Sequence, residues 1–198
     1  MKSALIAAVA SVLLALTPVA GADSITLEPS PDDLYDLPHQ YYYTWGLATE
    51  DDASLLVVTD ATLTFKYLRN NDWSDNKLYV HLLDTAPEGV TSYYDNQGGG
   101  DNFAGQGIEL VTYTNLSPIP YTREYEFTAD EIATLNDYLD NGSDFALGFD
   151  PDCHFYNCGV EMSVETTTTG VPEPSTMLLV SAGLLAVGKA PRRRKADG

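Results

Sequence analysis

Residues 61–68 read ATLTFKYL, and their alternation decides the fold class. Successive side chains of a strand point to opposite faces, so Leu63, Phe65 and Tyr67 share one face and Thr62, Thr64 and Lys66 the other. The pattern recurs outward along the chain. Residues 77–84, KLYVHLLD, put Leu78, Val80 and Leu82 on one side. Residues 159–166, GVEMSVET, alternate Val160, Met162 and Val164 against Glu161, Ser163 and Glu165. The stretches QYYYTWGLA (40–48), IELVTYT (108–114), REYEF (123–127, with Tyr125 and Phe127 inward) and DFALGFD (144–150) are equally rich in β-branched and aromatic residues.

Turn-forming clusters separate these runs: NNDWSDN at 70–76, and a long glycine-rich segment, APEGVTSYYDNQGGGDNFAGQG, at 86–107. One segment breaks the β pattern. In TADEIATLNDYLDNG (128–142), Thr128 and Glu131 stand at capping-box spacing, Ile132, Leu135 and Leu139 share a helical face, and Asn141-Gly142 supply a stop. This predicts a helix over about 129–140. Seven or so short strands and one crossover helix predict a mainly β domain. The expected form is an antiparallel β-sandwich, jelly-roll-like, with an up-and-down barrel as the alternative. CHFYNC (153–158) is expected to be the turn of a hairpin joining the last two strands.

The chain has 29 acidic residues; all but Glu173 and Asp197 fall between 23 and 170, where the only bases are Lys66, Arg69, Lys77 and Arg123. That leaves 27 acids against four bases, a net charge near −23. Such a field repels nucleic acid and anionic lipid and excludes a polyanion-binding class.

Both ends carry targeting signals. Lys2, an apolar core over residues 5–16, and the small residues Ala20 and Ala22 form a secretory signal peptide, with cleavage expected after Ala22. The expected organisation is signal peptide 1–22, β-sandwich 23–165, a polar linker 166–171 and a C-terminal segment 172–198. An exported chain meets an oxidising compartment, so Cys153 and Cys158 are expected to form a short disulfide, with two thiols as the alternative.

Catalytic chemistry finds little support. His39, His81 and His154 are scattered, no G-x-S-x-G or H-E-x-x-H stretch occurs, and NQGGGDNFAGQG lacks the ending of a phosphate loop. Within the longer 86–107 stretch Tyr93, Tyr94 and Phe103 are candidate stacking aromatics of a ligand-binding loop. In FDPDCHFYN, Asp150 and Asp152 flank a proline at a strand end, a stiff pair of hard oxygen donors suited to Ca²⁺. Asp32, Asp33 or Asp36 would complete the set if the lead-in packs nearby. A plain Asp-Pro turn is the alternative, and no other cofactor is indicated.

The C-terminal stretch VPEPSTMLLVSAGLLAVGKAPRRRKADG begins at Val171. Its apolar part, residues 175–188, is 14 residues, roughly 21 Å as a helix against a hydrocarbon core of about 30 Å. It suits a transient single span better than a permanent anchor. The order Pro172-Glu173-Pro174, apolar helix, then Arg192-Arg193-Arg194-Lys195 within a basic tail at 189–195, resembles the PEP-CTERM sorting signal. Lys189 and Pro191 shorten the apolar run relative to that pattern. The resemblance implies an exported substrate of exosortase, a membrane-embedded cysteine transpeptidase of Gram-negative bacteria. It implies a transient inner-membrane intermediate, then release to the cell surface or the extracellular polysaccharide matrix. The stretches DLYDLPHQYYYTWG, NQGGGDNFAGQG and DPDCHFYN are similar to other exported proteins sharing this tail, and bring no assigned activity. The expected function is a non-enzymatic structural or binding domain. The alternatives are a secreted polysaccharide-acting hydrolase and a permanently anchored periplasmic-face protein.

Overall fold

The computed structural model describes residues 22–30, 33–48, 56–70, 76–97, 99–142 and 144–168. The expected signal peptide up to residue 21, with Ala20, then Asp32, and the sorting segment from Pro172 through Lys195 lie outside these residues. Among the described residues no helix is long and apolar enough to cross a membrane.

The chain runs through β1 (Ala22–Leu27), β2 (Asp36–Leu37), β3 (Tyr41–Ala48), β4 (Leu56–Asn70), β5 (Lys77–Leu83), β6 (Gly89–Tyr94), β7 (Ile108–Thr114) and β8 (Tyr121–Glu126). Then follow α1 (Ala129–Gly142), β9 (Asp144–Pro151), β10 (Phe155–Tyr156) and β11 (Val160–Thr168). They form two antiparallel sheets. One has the order β1-β11-β4-β10-β2, with β8 on the other side of β4; the second has the order β6-β3-β9-β5-β7. Non-local pairing dominates: β9 lies between β3 and β5, and β11 between β1 and β4.

The alternating residues explain why the sheets face each other. Leu63, Phe65, Met162 and Val164 of one sheet share a core with Trp45, Val80, Leu82 and Phe149 of the other. Phe65 meets Phe149 edge-on with ring centroids 5.7 Å apart, the arrangement that aromatic quadrupoles favour.

The helix carries the chain from β8 in one sheet to β9 in the other. Its capping box is present: the Thr128 backbone N–H donates to Glu131 Oε2 at 2.7 Å, and the Glu131 N–H lies 3.4 Å from Thr128 Oγ1. Leu135 and Leu139 are its buried side chains. Asn136 does more than pack. Its Oδ1 accepts from the Val58 N–H and its Nδ2 donates to the Val58 carbonyl, both at 2.9 Å. The amide thus takes a ladder position beside β4 beyond the end of β8, satisfying strand groups that would otherwise lie bare.

Several expectations need correction. CHFYNC is not a hairpin turn, because β9 and β11 belong to different sheets. Phe155 and Tyr156 instead form β10, pairing with Asn70 and Arg69 on one side and with Leu37 and Asp36 on the other. No disulfide joins Cys153 to Cys158. The intervening residues are drawn out as a strand with Phe155 fully buried, and an extended stretch does not return its ends to bonding distance. Thr166 and Thr167, read as linker, pair with β1 and β4. The long segment at 86–107 contains a strand, β6, paired along β3. Finally, Tyr67 does not share the inner face with Leu63 and Phe65. The β4–β8 register shifts between Phe65 and Leu68, Tyr67 takes φ 54°, and Leu68 enters the core in its place. Such a bulge swaps the face of every later side chain.

Candidate functional site

The five-stranded sheet has a second, outward face. Tyr42, His81, Leu83, Ala146, Gly148 and Asp150 alternate there with the core residues of β3, β5 and β9. The glycine-rich segment folds onto this face and is held by carboxylates. The Asn102 N–H donates to Asp150 Oδ2 at 2.6 Å and its side-chain amide donates to the same oxygen at 3.1 Å. The Gly100 N–H donates to Asp152 Oδ1 at 2.8 Å. Within the segment, Asp95 Oδ1 accepts from the Gln97 N–H and Asp101 Oδ1 from the Phe103 N–H, at 2.7 and 2.9 Å.

These bonds press Phe103 into a small apolar cluster with Leu83 and Ala146, with Tyr42 packed against it. Its ring meets Tyr42 edge-on at 5.4 Å. Gly148 is required beneath it, since a Cβ there would stand 2.9 Å from the ring. Phe103 is therefore a plug, whereas the sequence pattern suggested an exposed stacking residue. Tyr93 and Tyr94 lie in β6, Tyr93 stacked on Tyr42 at 5.1 Å and Tyr94 exposed, edge-on to Tyr41.

Asp150 and Asp152 are thus brought to one place, where they act as acceptors for the loop backbone. The lead-in acids are used elsewhere: Asp33 accepts from the Tyr35 N–H, and Asp36 bonds His154. Among the described residues, the group of three metal-ligating types with converging donor atoms is His81, Asp101 and Glu109, and it includes neither Asp150 nor Asp152. Asp150 is 1 % exposed, and its Oδ1 has no hydrogen-bond partner. Burial pushes its carboxyl up to about 6, the Asn102 bonds oppose the rise, and Asp95 and Asp101 add to it.

A second feature lies at the β4–β8 edge, and the residue alternation did not reveal it. The outturned Tyr67 stands between two open hollows. One, of about 610 Å³, is lined by Tyr67, Pro120, Tyr121, Thr122, Arg123 and Glu124. The other, of about 210 Å³, is lined by Tyr67, Arg69, Pro120, Tyr156, Asn157 and Cys158. Tyr67 and Tyr121 are 58 % and 61 % exposed. The Arg123 guanidinium lies 4.7 Å from the Tyr121 ring centre and that of Arg69 5.5 Å from Tyr156. Among the described residues neither arginine is ion-paired, although acids outnumber bases nearly sevenfold across 23–170. The visible clue was composition: each of the four bases sits within two residues of a tyrosine, Lys66 and Arg69 of Tyr67, Lys77 of Tyr79 and Arg123 of Tyr121.

A left-handed backbone is uncommon for a bulky side chain and costs of order 1–3 kcal/mol. The bulge bears that cost and in return displays an aromatic ring at a groove. The groove offers flat apolar faces and planar cationic donors.

Comparison with known proteins adds one assignment. No curated protein matches the chain, while residues 170–194 match the PEP-CTERM protein-sorting motif. The chain carries this motif at its C-terminus, and the motif implies an exported protein of the cell envelope or surface, processed by an exosortase.

Proposed function

We propose that the described domain is a non-enzymatic polysaccharide-binding module that the sorting signal delivers to the cell surface or extracellular matrix. In this reading the C-terminal segment spans the inner membrane transiently, and the released domain is a jelly-roll sandwich. The strand orders β1-β11-β4-β8 and β3-β9-β5-β7 support that topology, with β6 added at one edge. The observation that carries the binding reading is Tyr67, held outward at φ 54° beside exposed Tyr121. Tyrosine faces take the C–H faces of sugar rings, and Arg69 and Arg123 donate N–H groups to hydroxyls. The overall negative charge disfavours strongly anionic chains, so the ligand class is a neutral polysaccharide.

The test is retention of the full chain on insoluble or immobilised neutral glycans. Wild type is expected to bind, with little change between low and high salt, and to release no reducing sugar. Tyr67→Ala combined with Tyr121→Ala is expected to weaken retention at least tenfold without lowering the melting temperature. Turnover of a glycan would favour the hydrolase. Binding unchanged by the double substitution would move the site elsewhere.

A further inference from the structure

We infer that His81, Asp101 and Glu109 form a binding site for a transition-metal dication of the Zn²⁺ type, independent of the polysaccharide groove. His81 lies on β5 with its side chain 4 % exposed, and neither ring nitrogen makes an aligned hydrogen bond. A buried imidazole with neither nitrogen in an aligned hydrogen bond is costly, and here Nε2 has only the ion-pair contact with Asp101. The carboxylate of Asp101 stands at its Nε2, and that of Glu109 lies close by. The three donor atoms, one each from His81, Asp101 and Glu109, all lie within 4.8 Å of one another.

The geometry at Nε2 is that of two ligands of one ion. Asp101 Oδ2 is 3.1 Å away, yet the oxygen stands off the N–H direction and does not make a directed bond. Ligands about 2.0–2.2 Å from a metal, at right to tetrahedral angles, are themselves roughly 3.0–3.5 Å apart and off each other's axes. Asp101 is fixed by its other oxygen, Oδ1, which accepts from the Phe103 N–H, leaving Oδ2 directed at the imidazole.

Glu109 arrives through the sheet. It is the cross-strand partner of His81 on β7, and the register shift between Val80 and His81 sets that pairing. Its Oε1 is held by the Thr112 hydroxyl, and the side chain is exposed, with a carboxylate oxygen already within 4.8 Å of the other two donors. An imidazole with two carboxylates suits Zn²⁺ better than Ca²⁺, which prefers an all-oxygen shell. Three protein ligands leave a fourth position for water. Binding here would tie the loop segment carrying Asp101 to β5 and β7, tightening the Phe103 plug.

The experiment is titration of the chelator-stripped full chain with Zn²⁺ alone, against a chromophoric competitor, with Ca²⁺ and Mg²⁺ in parallel. One Zn²⁺ per chain is expected, with nitrogen and oxygen but no sulfur in the X-ray absorption spectrum. Glu109→Ala, at an exposed position that folding tolerates, is expected to weaken Zn²⁺ binding at least tenfold, and His81→Asn more. Cys153→Ser with Cys158→Ser is expected to leave it unchanged. Sulfur in the metal shell, an affinity unmoved by Glu109→Ala, or uptake of Ca²⁺ in preference to Zn²⁺ would overturn the assignment.

Discussion

Phe103→Ala is expected to destabilise the full chain by about 3 kcal/mol, the lower end of the range for removing a buried phenylalanine. The ring is 3 % exposed and fills the space over Gly148 between Leu83, Ala146 and Tyr42. Truncation leaves a cavity on the outer face of the five-stranded sheet and takes away the apolar reason for the segment to lie down. Chemical denaturation measures the loss, and limited proteolysis between residues 95 and 107 should accelerate in parallel. Gly148→Ala attacks the same contact from below, because its methyl group would overlap the ring. Combining the two substitutions should cost less than their sum, since the new methyl partly occupies the space the ring vacates. Strict additivity would show that Phe103 and Gly148 do not share a site.

The second large effect is a pH dependence centred on Asp150. Its carboxyl titrates at about 6 in the folded chain, against an ordinary value of 3.8. Between those values the folded state holds a proton that the unfolded state has released, so stability falls as pH rises. The contribution is fully present below about 4 and lost as pH passes through about 6. Asp95 and Asp101 face this group, so the penalty above pH 6 is a buried charge among like charges. Asp150→Asn is expected to flatten this part of the profile. The amide oxygen can still accept from Asn102, and the amide nitrogen would replace the unpartnered Oδ1 with a donor near two acids. Above pH 6 the variant should therefore match or exceed wild type, measured in a chelating buffer so that no dication holds the carboxylate charged. An Asn variant with the slope of wild type would assign the titration to another group.

Where the sequence could be read, it was read through periodicity and end signals. Leu78, Val80 and Leu82 lie in the core, as do Val160, Met162 and Val164, because an undisturbed strand keeps its period of two. The helix is where Thr128 and Glu131 placed it, running two residues further, to Gly142. What escaped was non-local. A bulge between Phe65 and Leu68 turned Tyr67 outward, and no local pattern marks a residue that will adopt φ 54°. A second register shift set Glu109 opposite His81, so one of three histidines scattered along the sequence gained two carboxylate neighbours. β6 was hidden because its inward side chains are few and its neighbours are glycine-rich. The cysteine pair misled because closeness in sequence suggested a turn, while β10 needed the same residues for pairing with β2 and β4. The sorting signal was legible in full, since its information lies in order and position along the chain. The domain's chemistry depends on which strands meet.

The most direct test of the whole account is the intact mass of the protein recovered from wild-type cells and from cells lacking the sorting transpeptidase. The account predicts a wild-type chain beginning at Asp23 and ending near Pro172 to Pro174, in the surface or matrix fraction. Without the transpeptidase, the chain should keep its C-terminal segment and remain with the inner membrane. A wild-type chain intact through Gly198, in the same fraction whether or not the transpeptidase is present, would contradict it.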